Sequence, residues 1–237
     1  MDERFLRAEM VVGAAAMEKL RRSHVAVLGL GGVGSWCAEA LARCGVGTLT
    51  VMDEDTVSVT NVNRQILALS STLGQPKAEV MAARIRDIAP ACAVRPVVGR
   101  YEAATREAFF AERYDFIVDA IDLVSCKVDL ICTALARGVP IVSALGTGNK
   151  LDASRLRICD IAKTENDPLA RVVRRELRAR GVSHTAVVFS PESAAAPEQR
   201  EAPPPGRRSV PGSLVWVPAS AGLLLCQHVV TQLIGTA

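Results

Sequence analysis

Cysteine is present but never in a metal-binding spacing: Cys37, Cys44, Cys92, Cys126, Cys132, Cys159 and Cys226 are scattered, odd in number, and nowhere Cys-x-x-Cys. This supports neither a disulfide framework nor a cysteine zinc site. Lysine is scarce, with only Lys19, Lys77, Lys127, Lys150 and Lys163 among 28 basic residues, so a lysine inside a motif carries more information than an arginine. The opening Met1-Asp2-Glu3-Arg4 carries both signs of charge and leads into no apolar stretch of signal-peptide length. Together with the unpaired thiols, this makes the reducing cytoplasm the expected compartment. From Ser209 to Ala237 charge is missing altogether when His228 is neutral, but Pro211, Gly212 and Pro218 interrupt that stretch. After Pro218 the polar residues Gln227, His228, Thr231 and Gln232 fall on one helical face, which predicts a half-buried closing helix in preference to a membrane anchor. No internal repeat is found.

What is there fits a globular chain. A length of 237 residues suits one large domain, and 49% hydrophobic with 22% charged residues allows a core of ordinary size. The formal charge of +3 is too mild to identify a nucleic-acid binder from bulk charge alone. Residues 1–22 read as an amphipathic leading helix, with Phe5, Val12 and Met17 among its apolar positions. From 23 to about 150, β-branched apolar runs alternate with helical segments: strands at 24–29, 48–52, 94–98, 116–119 and 140–143, helices at 33–43, 76–89, 105–112 and 127–137. Alternation of this kind predicts a doubly wound, mostly parallel Rossmann-like α/β sheet covered on both faces. Residues 151–237 form an extension, with strands at 155–161 and 185–189 around a basic helix at 167–180. Seven of the twelve prolines lie between Pro191 and Pro218, and 193–209 holds almost no large apolar residue, so that segment is expected to be a mobile loop.

Three constellations carry chemistry. The run Gly29-Leu30-Gly31-Gly32-Val33-Gly34 follows the first strand and opens a helix, and Asp53 closes the second strand 24 residues after Gly29. Glycines let backbone N–H groups approach a phosphate at a helix amino end, and the acid suits ribose hydroxyls; the same glycines could merely pack helix on strand. This fingerprint alone favours NAD or FAD. The second constellation runs from Asp53 through Asp55, Asn61 and Arg64 to Lys77, which starts the next helix after Gly74-Gln75-Pro76. A triphosphate carries about two more negative charges than a dinucleotide, and Arg64 with Lys77 could neutralise them, although each alone could be a solvated surface residue. The third is Val118-Asp119-Ala120-Ile121-Asp122 at the carboxyl end of the fourth strand. Asp122 there could hold a magnesium ion bridging phosphates, or cap the following helix.

Taken together, GLGGVGSW, MDEDTVSVTNVNRQ, the QPK at a helix start and VDAID resemble the adenylating domain of the ubiquitin-activating-enzyme-like superfamily, of ThiF/MoeB type. Within it, RFLRAEMVVG, ALGTGNKLDASRLRICDIAKTENDPLARVVRRELR and VVFSPE look like the tRNA threonylcarbamoyladenosine dehydratases. The resemblance implies that Gly29, Gly31, Gly32, Val33 and Gly34 cradle ATP, that Asp53 holds its ribose, and that Asn61, Arg64 and Lys77, beside Asp55, contact the triphosphate. It implies magnesium (Mg2+) at Asp122, and Arg7 reaching in from the other subunit of a homodimer. The implied reaction is ATP-dependent: the threonyl carboxylate of threonylcarbamoyladenosine in tRNA is adenylated, and the neighbouring carbamoyl group closes a ring. An activator of a ubiquitin-like sulfur carrier, a non-catalytic partner of a sulfur-transfer protein and an NAD oxidoreductase stay open. For the tRNA, Arg155 to Arg180 holds eight basic against four acidic residues, an excess that could bind phosphates or be a solvated face.

Overall fold

The β-branched runs assemble into one seven-stranded sheet, and the computed structural model describes residues 2–196, 198 and 210–235. The strands are β1 (His24–Leu28), β2 (Thr48–Asp53), β3 (Ala93–Val98), β4 (Phe116–Asp119), β5 (Ile141–Ala144), β6 (Arg157–Asp160) and β7 (Ala186–Phe189). Their order is β3-β2-β1-β4-β5-β7-β6, all neighbours parallel except β6 against β7. The chain winds outward from β1 in one direction and then from β4 in the other. The register sets Leu28 opposite both Met52 and Asp119, so the carboxyl ends of β1, β2 and β4 finish together. Ligands of such sheets bind in the crevice at this reversal.

The helices are α1 (Leu6–Val12), α2 (Ala14–Arg22), α3 (Gly34–Arg43), α4 (Lys77–Ile88), α5 (Arg106–Phe109), α6 (Val124–Ala136), α7 (Pro168–Arg178) and α8 (Trp216–Ile234). The leading helix expected over 1–22 is two: it breaks at Gly13, whose φ of 83° and ψ of 160° cannot continue a helix. The helix expected over 105–112 is a single turn, because Phe109 folds back to stack on Tyr114 with ring centroids 4.8 Å apart. Helix α7 begins where Asp167-Pro168 predicts: the Asp167 carboxylate accepts the N–H groups of Leu169 (2.9 Å) and Ala170 (3.1 Å), and proline takes the first helical position.

Closing helix α8 is long and apolar enough to span a membrane by length and composition, but here it is a core helix. Val217, Ala221, Leu225, Cys226 and Val229 are buried, while Gln227 and Gln232 are exposed. It crosses α3 at Gly222, where an added Cβ would lie 2.5 Å from the Val33 carbonyl oxygen. At its far end the ammonium of Lys19 donates to the carbonyl of Ile234 (2.9 Å), satisfying one of the open carbonyls there. Most of the segment 193–209 lies outside the described residues.

Candidate functional site

The glycine run divides into two kinds of position. Gly29 has φ +86°, and a side chain there would collide with the backbone of Ala120; one at Gly34 would collide with the Gly29 carbonyl. These two hold the loop against β4. Gly31 faces space instead, its nearest neighbour being Gln65 Nε2, 4.0 Å from where a Cβ would sit. Gly32 lies between Pro218 of α8 and the Arg64 side chain. No side chain caps the amino end of α3, whose preceding residue is Val33. An uncapped helix start beside an open glycine suits an anion.

Around this loop the acids and cations converge. Asp53, at the end of β2, accepts the N–H of Leu30 (2.6 Å) through one oxygen and that of Asp55 (2.9 Å) through the other. Burial pushes its carboxyl above the ordinary 3.8, against the pull of Lys77 and those two N–H groups. Lys77 is not a surface residue: it is 5% exposed, with its ammonium 2.8 Å from Asp55 and 4.0 Å from Asp53. Asp55 is itself mostly exposed, so a ligand phosphate could replace it as the partner of Lys77. Asn61 serves its own turn, its Oδ1 accepting the N–H of Ser58 (3.0 Å). Arg64 is half-buried and donates to the Thr60 carbonyl (2.7 Å) and to Asn63 Oδ1 (3.0 Å), while the Trp36 indole donates to the Arg64 carbonyl (3.0 Å). Trp36 thereby ties the turn bearing Arg64 to α3.

At the end of β4 the two aspartates differ. Asp119 is fully buried and paired with Lys127, which also donates to the Ala144 carbonyl (3.0 Å). Asp122 is exposed. It is not the cap of α6, since that position is Leu123. Among the described residues, no group of three or more His, Cys, Asp or Glu side chains is placed to hold a metal.

Arg7 does not join the glycine loop of its own chain. It is exposed on α1, and Phe5, just before that helix, packs on Gly45, which leads into β2 at the opposite, amino edge of the sheet. Leu6, Met10 and Val11 beside it are also exposed. In the basic helix, Arg174 is committed to Thr164, donating to its carbonyl (2.8 Å) and hydroxyl (2.6 Å), whereas Arg171 and Arg178 are exposed.

Several residues at this edge were not singled out by motif. Gln65 is buried beside Gly31, and its Oε1 has no partner among the described residues. Lys150 is buried, with its ammonium 2.6 Å from the Ser190 carbonyl and 3.9 Å from Asp167; burial lowers its pKa, and the Asp167 charge opposes that shift. The scarcity of lysine was the available signal: Lys77, Lys127 and Lys150 are the buried ones.

The tRNA threonylcarbamoyladenosine dehydratase of Bacillus subtilis is 43% identical over 243 residues, covering 99% of this chain and 96% of the relative. A crystal structure of the E. coli tRNA N6-threonylcarbamoyladenosine dehydratase in complex with ATP superposes with a TM-score of 0.89 at 35% identity, covering 98% of this chain and 94% of that one. Likeness to the E. coli molybdopterin-synthase adenylyltransferase, 40% identical, stops at 53% of this chain and 50% of that protein. The ThiF family profile matches residues 5–236, through the glycine loop, the sheet reversal and the closing helix alike. With that span matched, the chain belongs to the ThiF family.

Proposed function

We propose that this chain is an ATP-dependent enzyme that cyclises threonylcarbamoyladenosine in tRNA with net loss of water. The observation that carries the substrate assignment is the extent and strength of the likeness: the Bacillus subtilis dehydratase is 43% identical over 99% of this chain, whereas two molybdopterin-synthase adenylyltransferases match 53% of it at 40% identity and 67% of it at 33%. The geometry supports ATP over a dinucleotide, because the buried cation Lys77 stands beside the glycine loop and Asp53 where a third phosphate needs neutralising.

In this reading Gly31, Gly32, Val33 and the open amino end of α3 receive phosphates, and Asp53 faces the ribose. Lys77 and Arg64 neutralise the triphosphate, and Asn61 keeps their turn in shape. A threonyl carboxylate oxygen attacks the α-phosphorus and pyrophosphate leaves. The carbamoyl group of the same nucleoside then attacks the activated acyl carbon and AMP leaves. Both attacking groups belong to the substrate, so the protein supplies positioning and charge stabilisation, and no cysteine nucleophile is needed. Magnesium fits the donor set: Asp119 is buried and paired with Lys127, whereas Asp122 is exposed at the same strand end, and magnesium takes one or two carboxylates with phosphate oxygens and waters. When bound, it would offset charge on the phosphates.

A homodimer accounts for Arg7. Its helix, which exposes Leu6, Met10 and Val11, would lie against a second subunit and deliver the guanidinium to that subunit's nucleotide. A tRNA substrate is compatible with an enzyme of the cytoplasm. The test is incubation with ATP, magnesium and modified tRNA, followed by mass spectrometry of nucleosides. Loss of one water from threonylcarbamoyladenosine supports the reading. An unchanged nucleoside, with AMP transferred to a sulfur-carrier protein instead, would replace it with the activator.

A further inference from the structure

The loop that follows β5, residues 145–152, joins segments far apart in sequence. Asn149 is its centre, one of two non-glycine residues with positive φ among those described, at 60°. Its carbonyl accepts the N–H of Ala195 (2.7 Å), its N–H donates to the carbonyl of Gly212 (2.8 Å), and its Oδ1 accepts the N–H of Gly212 (2.6 Å). One residue therefore clamps two stretches of chain, 190–196 and 210–216. Its neighbours reinforce the clamp: Leu151 and Asp152 donate their N–H groups to the Glu192 carboxylate (2.9 and 3.1 Å), and the Trp216 indole donates to the Leu151 carbonyl (2.8 Å).

From Asn149 the second stretch runs along the carboxyl edge back to the nucleotide loop. Ser213 accepts the Asn63 side-chain N–H (2.9 Å) beside Arg64, and Pro218 packs on Gly32. The clamp itself lies past β4 from the glycine loop, at the ends of β5 and β7. A carboxylate attacking an α-phosphate must enter from outside the nucleotide, and with Asp53 and Lys77 filling the β2 side, the β5 side is where it can do so.

We propose that Asn149 is a positioning residue for the acyl substrate: its side-chain oxygen fixes Gly212, and through it the wall against which the modified nucleoside seats. This rests on the tRNA reading above. The side chain acts as an acceptor toward Gly212, so aspartate, which also tolerates positive φ and offers an oxygen there, substitutes for it. Glycine keeps the backbone angle but removes the oxygen, and alanine removes both.

The test compares Asn149→Asp, Asn149→Gly and Asn149→Ala by tRNA binding with fluorescence anisotropy, ATP–magnesium binding by calorimetry, and turnover at varied tRNA. Asn149→Gly and Asn149→Ala should weaken tRNA binding and raise KM for tRNA about tenfold, the scale of one or two lost hydrogen bonds, with ATP affinity unchanged. Asn149→Asp should stay within about twofold of the parent. Equal tRNA binding in all four proteins overturns the proposal, as does rescue by glycine alone, or loss of ATP affinity in parallel with tRNA. A parent protein that binds tRNA but does not cyclise the nucleoside refutes the dehydratase reading, while the binding comparison still decides the role of Asn149. A parent that binds no tRNA refutes both.

Discussion

The Lys127 ammonium lies 2.7 Å from Asp119 Oδ2, and neither side chain has exposed surface. Asp119 is therefore committed to the core, while Asp122, three residues on, is exposed. Removing one member of a buried pair leaves an uncompensated charge, which typically costs about 3–5 kcal/mol. Lys127→Met should lower stability by that order in denaturant titration. Asp122→Asn should leave stability nearly unchanged and reduce turnover at least tenfold, about the loss of one charged interaction. The account of this edge is wrong if Asp122→Asn retains full activity at limiting magnesium.

Helix α8 crosses α3 at a glycine. An added methyl at Gly222 would meet the Val33 carbonyl oxygen at 2.5 Å and Trp36 Cβ at 2.9 Å. Val33 belongs to the glycine loop proposed to receive phosphates and Trp36 holds the Arg64 turn, so α8 sets their position from behind. Gly222→Ala should destabilise the fold by about 1–3 kcal/mol through overpacking and weaken ATP binding. Thermal unfolding with and without ATP checks both.

How much of this was legible depended on whether the information was local. The alternating strands, the glycine loop after β1 and Asp167-Pro168 at the start of α7 follow from short-range pattern, and each element lies within a few residues of its expected bounds. The leading helix did not, because its amphipathic pattern continues through Gly13 while the backbone turns there. Lys127 and Lys150 were legible only as scarce lysines; Asp119 pairs with Lys127 across the turn from β4 into α6, and Ser190 lies forty residues from Lys150, so neither pairing is a local pattern. Arg174 read as one of eight basic residues, but its place on α7 turns it inward to Thr164. The clamp at Asn149 had no sequence signal, since it joins three stretches through backbone groups.

Stability should fall on the acid side through His228. The ring packs edge-on to Phe116 with centroids 5.9 Å apart, and burial lowers its pKa from the ordinary 6.5. The unfolded chain then takes up a proton before the folded one, so the contribution of His228 is full above about pH 6.5 and is lost as pH falls below it. His228→Gln should reduce that acid-side loss in denaturant titrations from pH 7 to 5. It should not abolish it, because burial, aided by Arg95, lowers the pKa of His24 as well.

The proposed sharing of the site across a homodimer interface predicts complementation. Arg7→Ala and Lys77→Ala homodimers should each lose activity, Arg7→Ala more in turnover than in ATP affinity. Mixed chains rebuild one intact site when Arg7 acts across the interface, so activity should return on mixing. A confirmed heterodimer with no recovered activity would place Arg7 in its own subunit's site or outside any site.

Adenylation of the substrate carboxylate is the centre of the account, and isotope transfer tests it most directly. With 18O in the threonyl carboxylate of the modified tRNA, the oxygen bridging carbon and phosphorus departs with the nucleotide when the ring closes. The account predicts one AMP and one pyrophosphate per cyclised nucleoside, with 18O in the AMP phosphate. Unlabelled AMP, or ADP in its place, would contradict it.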